Sequence, residues 1–587
     1  MAPQARRPAV QLPQGKVLGV TIGDGDPAQQ QHRLPRPVEA FYAIPYALPP
    51  TGDRRFRPAV PVPVPPAGAP DDDNATVLDA TGYGPSAPGK PLLPIDGPAL
   101  EYSEDCLTAN VFRHVPDENN NNNNNSGSNS EGGGGGARKG LLPVAVYVHG
   151  GAFNRGTASM HDTASMVSWS AEPFVAVSFN YRLGALGFLP CSAAARAGAL
   201  NLGLRDQVLL LEWVRDNIAR FGGDPGCVTL FGLSAGAHSI GHLIMYHEQG
   251  QPPLFHRAIL ESGAPTSRAV RPYDAPVHEQ QFRDFLAACG LPADLPTPEV
   301  LPALRSLPLS VVGEAQTATF DRYNPSLRWA FQPCIDGDLV ARPPLETWLS
   351  GRWHRVPIMT GFARNEGSLY VDKACSTPEQ FLGFFRALLP LLPEADIRAI
   401  DALYPDPEKY PDASPSPYRE TREGVGAQYA RVEAAYANYA YQAPVRQTAE
   451  LASSAPASAP VYLYQWALET SVLEGARHGD NMRYEACEAR VLDISPAQAA
   501  LAKTLHAYVV SFIVTGDPNA LVPAAEEEKR PTWGRYERGR PRAMVFGEEN
   551  KELVGGEAGS KVCEFVDDDW SRGQSEFWWS KVGVSQK

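Results

Sequence analysis

The chain has 587 residues, 43% of them hydrophobic and 20% charged, which is ample material for a buried core and excludes a disordered or fibrous polypeptide. Its 52 Lys and Arg against 66 Asp and Glu leave a net charge of −14, the opposite of the basic footprint that nucleic acid or an anionic membrane surface requires. No stretch approaches the ~18 unbroken apolar residues of a membrane-spanning helix, so no transmembrane segment is expected.

The N-terminus places Arg6 and Arg7 early, but no apolar run follows them, so no secretory signal is visible. Eight cysteines (Cys106, Cys191, Cys227, Cys289, Cys334, Cys375, Cys487, Cys563) are scattered without a C-x-x-C pair. This is neither a disulfide scaffold nor a zinc ribbon. A cytoplasmic enzyme with mostly free thiols is expected, rather than a secreted one.

Residues 1–75 are rich in proline and are expected as loop, edge strand or polyproline II. Strands are predicted over 107–113 and 142–148. Between them, 117–139 holds asparagines from Asn119 to Asn125 and glycines from Gly132 to Gly136. Such a low-complexity stretch cannot bury apolar surface and is expected to be a disordered loop, an enlarged strand–strand turn. A buried strand follows at 174–179. A helix comes next near 206–221, with Leu211, Val214 and Ile218 on one face and Gly222 as its stop. A short strand is predicted at 228–231, a helix at 235–247, and strands at 258–260, 357–360 and 461–466. The last helix is predicted over 496–515, with Ser495 as N-cap, Pro496 in the first turn and Gly516 as the stop. Residues 270–350 and 370–455 read as helical or irregular excursions. Strands alternating with helices predict a largely parallel sheet covered on both faces.

The sharpest local signal is Gly232-Leu233-Ser234-Ala235-Gly236, between a predicted strand and a helix of small residues. A nucleophile needs such a turn: the serine sits at a strained apex, and glycines two positions either side remove crowding. An oxyanion hole would take one amide from Ala235 and others from a glycine loop after an earlier strand. His149-Gly150-Gly151-Ala152-Phe153 fits that place. In this architecture the acid and then the histidine follow the serine. His478 lies in a loop past the strand at 461–466, where a catalytic base belongs. His506 lies inside the last helix and is better explained by packing. Glu366 sits just beyond a strand end, where site residues of a parallel sheet emerge. Asp336 and Asp338 compete with it, but turn chemistry accounts for both.

Further motifs extend the pattern: Phe41-Tyr-Ala-Ile-Pro-Tyr-Ala-Leu-Pro-Pro50 with Arg55-Phe56, Ser103-Glu-Asp-Cys-Leu-Thr-Ala-Asn-Val111, Asn180-Tyr-Arg-Leu-Gly184, Asn201-Leu-Gly-Leu-Arg-Asp-Gln207 and Phe221-Gly-Gly-Asp-Pro225. In this order they resemble the type-B carboxylesterase/lipase family of α/β-hydrolases, which also holds the cholinesterases. Glu261-Ser-Gly-Ala-Pro265 and Asn365-Glu-Gly367 are similar to fungal members. The resemblance implies one α/β-hydrolase domain over 1–587: a central, mostly parallel twisted sheet flanked by helices, with helical excursions shaping an active-site gorge. It implies a serine hydrolase that cleaves carboxylic esters through an acyl-enzyme. Ser234 would be the nucleophile, Glu366 the acid and His478 the base. Gly151, Ala152 and Ala235 would supply the oxyanion-hole amides, and Ser262 would support the triad. No cofactor or metal is implied. The partner is a small-molecule ester, and nothing fixes an oligomeric state.

Two departures narrow the expectation. No cysteine precedes Cys106, so the disulfide that secreted relatives form there cannot close within this chain. Leu233 stands where cholinesterases carry Glu, and residues 94–98 lack an aromatic. A quaternary ammonium needs π-faces and negative charge, so uncharged, hydrophobic esters are expected rather than choline esters. A lipase acting on longer acylglycerols is the alternative, and a non-catalytic cholinesterase-like binding protein a weaker one. A metal hydrolase using His238, His242 and His247 lacks the H-E-x-x-H glutamate. Asn74-Ala-Thr76 matches a glycosylation acceptor only by chance in a cytoplasmic protein.

Overall fold

The computed structural model describes residues 7–23, 34–64, 77–91, 100–116, 140–246, 253–268, 270–410, 416–454, 459–521 and 530–586. The expected loop 117–139, the acceptor at Asn74, residues 94–98 and His247 lie outside them. Eleven strands form one sheet: β1 Val20–Ile22, β2 Val38–Pro45, β3 Thr108–His114, β4 Leu142–Val148, β5 Val175–Phe179, β6 Gly223–Leu233, β7 Arg257–Glu261, β8 Ile358–Ala363, β9 Val461–Trp466, β10 Arg542–Phe546 and β11 Cys563–Asp567. In space they run β11-β10-β9-β8-β7-β6-β4-β5-β3-β2-β1. The block from β10 to β5 is parallel, and both margins are antiparallel. The parallel strands are buried throughout on both faces in β5, β8 and β9, as a sheet covered by helices requires. This is the α/β-hydrolase architecture that the motifs imply.

One crossing decides where the site forms. The chain passes from β4 outward to β5, then returns past β4 to β6. Between β4 and β6 the winding reverses, and open parallel sheets place their ligands at the C-terminal ends flanking such a switch. β6 leads into α2, Ala235–Met245, after α1, Leu202–Asn217, has packed against the sheet. Two further helices, α3 (Ala443–Ser453) and α4 (Pro496–Thr515), cover the β8–β9 side. In α4 the Ser495 hydroxyl accepts from the Gln498 N–H at 3.1 Å, and Gly516 takes φ 84° to end the helix. By length and composition α4 is apolar enough to cross a membrane. Yet 61% of its apolar window is buried within the fold, where its apolar residues cover the sheet.

Three expectations need correction. The strands β3 and β4, expected to be joined by an enlarged turn, are not neighbours: β5 lies between them. Strands β10 and β11 escaped notice because both are short: β10 is buried over its last four residues, while β11, at the margin, mixes half-buried and exposed residues without a strong apolar pattern. The helix 496–515 is not the last, since Arg572–Ser585 follows. That helix has little apolar periodicity and buries only a few residues, Trp578 among them.

Two charged motif residues turn out to be structural. Arg182 donates from Nε and Nη2 to the two Asp206 oxygens at 2.8 and 2.6 Å, with both side chains buried. The pair clamps the segment after β5 to α1. Removing one partner strands a buried charge, which costs about 3–5 kcal/mol. Asp206→Ala should therefore lower the stability measured by urea unfolding by about that amount; a loss under about 1 kcal/mol, the range of a surface pair, would contradict the clamp.

Beneath the C-terminal sheet edge, Glu261 at the end of β7 and Glu485 are fully buried side by side. Tyr464 and Asn481 donate to Glu261 Oε1 at 2.8 and 2.7 Å, and His161 Nε2 stands 3.4 Å from Glu485. Burial holds both carboxyls protonated far above the usual range, with Glu485 at about 8. The folded state thus keeps protons that the unfolded chain would release above 4.5. Their stabilisation is complete below that value and is lost as pH rises toward about 8. The melting temperature of the wild type should fall from pH 6 to pH 9 more steeply than that of Glu485→Gln; parallel slopes would remove this pair as the cause.

Candidate active site

Ser234 occupies the single residue between β6 and α2, at φ 59° and ψ −121°. A side chain held there costs about 1–3 kcal/mol and persists only where the surroundings impose it. They do: the Ser234 N–H donates to Glu261 O at 2.9 Å, and its carbonyl accepts from the His238 N–H at 2.9 Å. The flanking glycines are a packing necessity. A Cβ at Gly232 would lie 2.4 Å, and one at Gly236 1.9 Å, from the Val148 carbonyl oxygen at the end of β4. The side chain of Ser234 is almost enclosed, at 5% exposure.

The glycine loop leaves the neighbouring strand β4. Gly151, Ala152 and Phe153 all take positive φ, 111°, 56° and 62°. Their carbonyls are tied down on the far side. Ala152 O accepts from Asn154 Nδ2 and Gln332 Nε2, each at 2.9 Å. Phe153 O accepts from the Gly184 N–H at 2.8 Å. The Gly151 and Ala152 amides have no acceptor among the described residues. Gly150 lies against the elbow, its Cβ position 3.2 Å from that of Ser234.

The loops after β8 and β9 are stitched together. Asn365 donates its N–H to Ala476 O at 2.9 Å, and its side-chain oxygen accepts from the Ala476 N–H at 3.1 Å. This fixes Glu366 and His478 in contact, with Nδ1 of the imidazole 2.5 Å from Glu366 Oε2. The other carboxylate oxygen accepts from the Ala363 N–H at 2.6 Å. Gly479, next to His478, packs on Leu233, its Cβ position 2.8 Å from Leu233 Cδ2. Nε2 of His478 is buried and has no hydrogen-bond partner among the described residues. The structure thus joins imidazole to carboxylate and sets their loop on the residue before Ser234, without a bond from the hydroxyl to Nε2. A catalytic contact often closes only when substrate is bound. Ser262, at φ 50°, is buried at the end of β7 and donates its N–H to Gly361 O at 2.8 Å.

The competing residues have other duties. Asp336 accepts from the Asp338 and Val340 N–H groups at 3.0 and 2.9 Å, a turn. His506 Nδ1 bonds to Glu485 O at 2.7 Å. His238 and His242 are buried, with burial lowering His242 to about 4. No group of three metal donors occurs among the described residues.

Sequence reasoning passed over several residues here. Glu433 accepts from the Gly367 N–H at 3.0 Å and from Asn365 Nδ2 at 3.3 Å, bracing the loop that carries Glu366. Burial, with Glu366 nearby, raises it to about 7. Tyr441 and Tyr370 set their rings 4.7 and 5.6 Å from the imidazole. Tyr441 belongs to a π-helical turn, Asn438–Gln442, a distortion frequent at functional sites. Glu433 and Tyr441 carry no local signal, because each reaches the site from a helix remote in sequence; Tyr370 lies in the turn four residues after Glu366, but an aromatic in a turn marks no chemistry by itself.

The profile of the Carboxylesterase family matches residues 6–566. Secreted lipase 4 of Gibberella zeae is 33% identical over 509 residues, 86% of this chain and 84% of its own. Lipase 1 of Geotrichum candidum is 30% identical, with 82% and 84% covered. Among solved structures, Aspergillus niger EstA superposes with a TM-score of 0.76 over 99% of both chains, at 24% identity, a likeness of fold. A serine elbow at the switch point of an α/β-hydrolase sheet, together with this match along almost the whole length, means that the chain belongs to the carboxylesterase family and hydrolyses carboxylic esters.

Proposed function

We propose that Ser234, His478 and Glu366 carry out this ester hydrolysis within one catalytic domain. The observation that supports the reading most directly is the 2.5 Å contact of imidazole and carboxylate on a loop seated against the serine elbow. Nε2 of His478 takes the Ser234 proton as the hydroxyl oxygen attacks the ester carbonyl. Glu366 holds the imidazole by Nδ1–H and stabilises its positive charge. The amides of Gly151, Ala152 and Ala235 receive the oxyanion; each such donor is worth on the order of 10²–10³ in rate. The imidazolium then protonates the leaving alcohol, and water repeats the attack on the acyl-enzyme with the same base. Ser262 and Glu433 position the loops from behind. All eight cysteines are free and seven are buried, which supports a reducing, cytoplasmic setting for this chain; the relative named a secreted lipase makes location a matter for fractionation of cells. A series of p-nitrophenyl esters of graded acyl length, run beside a triacylglycerol emulsion, separates esterase from lipase preference.

Ser234→Ala should fold normally by circular dichroism, lose p-nitrophenyl ester turnover by roughly 10⁴–10⁶-fold and no longer react with a fluorophosphonate probe. EDTA should leave wild-type turnover unchanged. A folded variant that keeps wild-type turnover would end the assignment.

A further inference from the structure

Beside the imidazole lies a small cleft, open to solvent, that the hydrolytic steps leave unused. It adjoins the reaction centre at three points. His238, on its wall, is one turn past Ser234. Phe153 follows the glycine loop. Arg268 Nη2 donates to the hydroxyl of Tyr441, whose ring faces His478.

The lining is an unusual mixture. Phe153, Leu327, Leu388 and the rings of Trp329, Tyr436 and Tyr439 make it apolar, yet Arg268, Arg271 and Arg328 all enter it, and no Asp or Glu does among the described residues. Arg268 stands at φ 60°, its guanidinium 4.0 Å from the Trp329 ring centre and 5.6 Å from that of Tyr441. Those π-faces compensate part of the cost of holding a charge out of water. They fill none of its N–H donors. Nε and Nη1 of Arg268, and Nε of Arg328, are shielded from solvent without an acceptor among the described residues. An unsatisfied donor on a shielded cation is costly. Arg271 has a contact of its own and contributes charge. The positive groups also work against one another: burial together with Arg328 brings Arg271 down to about 10, and burial together with Arg271 and Arg328 brings His278 down to about 4. In a chain of net charge −14, the open donors of Arg268 and Arg328 are ones that a ligand completes.

We propose that this cleft binds a carboxylate carried by the ester at a distance from the scissile bond, so that the preferred substrates are esters with an apolar body and one remote anionic group. The inference rests on the hydrolytic reading above and names its substrate class. The aromatic and leucine walls take the hydrocarbon, and the open N–H groups of Arg268 and Arg328 take the carboxylate as charge-assisted hydrogen bonds. The carboxylate could belong to the acid portion, as in a half-ester of a dicarboxylic acid, or to the alcohol portion.

The test compares kcat/KM for pairs of equal length. Monoethyl succinate, glutarate, adipate and suberate are set against the uncharged ethyl esters of matching chain, and 4-acetoxybutanoate is set against butyl acetate, which distinguishes the two sources. The anionic member should win by about tenfold or more in one of these arms, the size of a hydrogen bond to a charged group. Its advantage should shrink with added salt and collapse in Arg268→Met and Arg328→Met, read as the ratio of the two rates so that general damage to folding cancels. Uncharged esters preferred in both arms, or an anionic preference that neither variant alters, overturns the proposal. If no ester of either kind is cleaved, the hydrolytic reading fails separately. The cleft is then judged by adipate alone: quenching of tryptophan fluorescence in the wild type and its loss in Arg268→Met sustain an anion site, and no quenching in the wild type rejects it.

Discussion

The contact between the end of β4 and the turn at 232–236 governs the rest of this molecule. The Val148 carbonyl oxygen comes so near the backbone of Gly232 and Gly236 that neither could bear a Cβ without a collision under 2.5 Å. That approach forces the strained φ of Ser234 and brings the glycine loop of 150–153 alongside the elbow. Strand pairing supplies the force, since β4 and β6 are hydrogen-bonded neighbours in the middle of the sheet. The strain at one residue is small beside the burial of those strands.

From this point the other groups fall into place in sheet order. The glycine loop leaves β4, the serine β6, Ser262 β7, Glu366 β8 and His478 the loop after β9. Five consecutive parallel strands each deliver one element of the site at the same edge. The loops need only short-range fastening after that. Asn365 ties the last two together, and Glu433 braces them from a helix behind. A parallel sheet is stiff because both faces are covered, so side chains at its edge are held with little freedom to reorganise.

The electrostatic layout is uneven in a way the net charge hides. Below the sheet edge, Glu261 and Glu485 sit protonated together, buried away from water. Above it, arginines gather in the cleft against aromatic rings. Both arrangements place ionisable groups within a few side chains of the imidazole, and burial shifts their protonation away from its value in water.

Much of this was legible in the residue order. Periodicity and punctuation located the central strands and α4, with its Ser495 cap and Gly516 stop, because buried parallel strands are continuous apolar runs and helix ends carry local signals. The motif Gly232 to Gly236 marked the elbow, because its requirement is local: small residues around one turn. The edge strand β11 and the helix 572–585 were not legible, because edge elements bury little and so need little apolar pattern; β10 is buried but only five residues long, too short a run to stand out. Nor could the sequence reveal that β5 separates β3 from β4, since pairing between strands is a long-range choice. Tertiary structure alone decided which buried charges are clamps, as in Arg182 with Asp206, and which, like Arg268, line a cleft with donors to spare. The physical reason is the same throughout: a residue's type fixes what it can bond to, but only the folded neighbourhood decides whether that bond is already made.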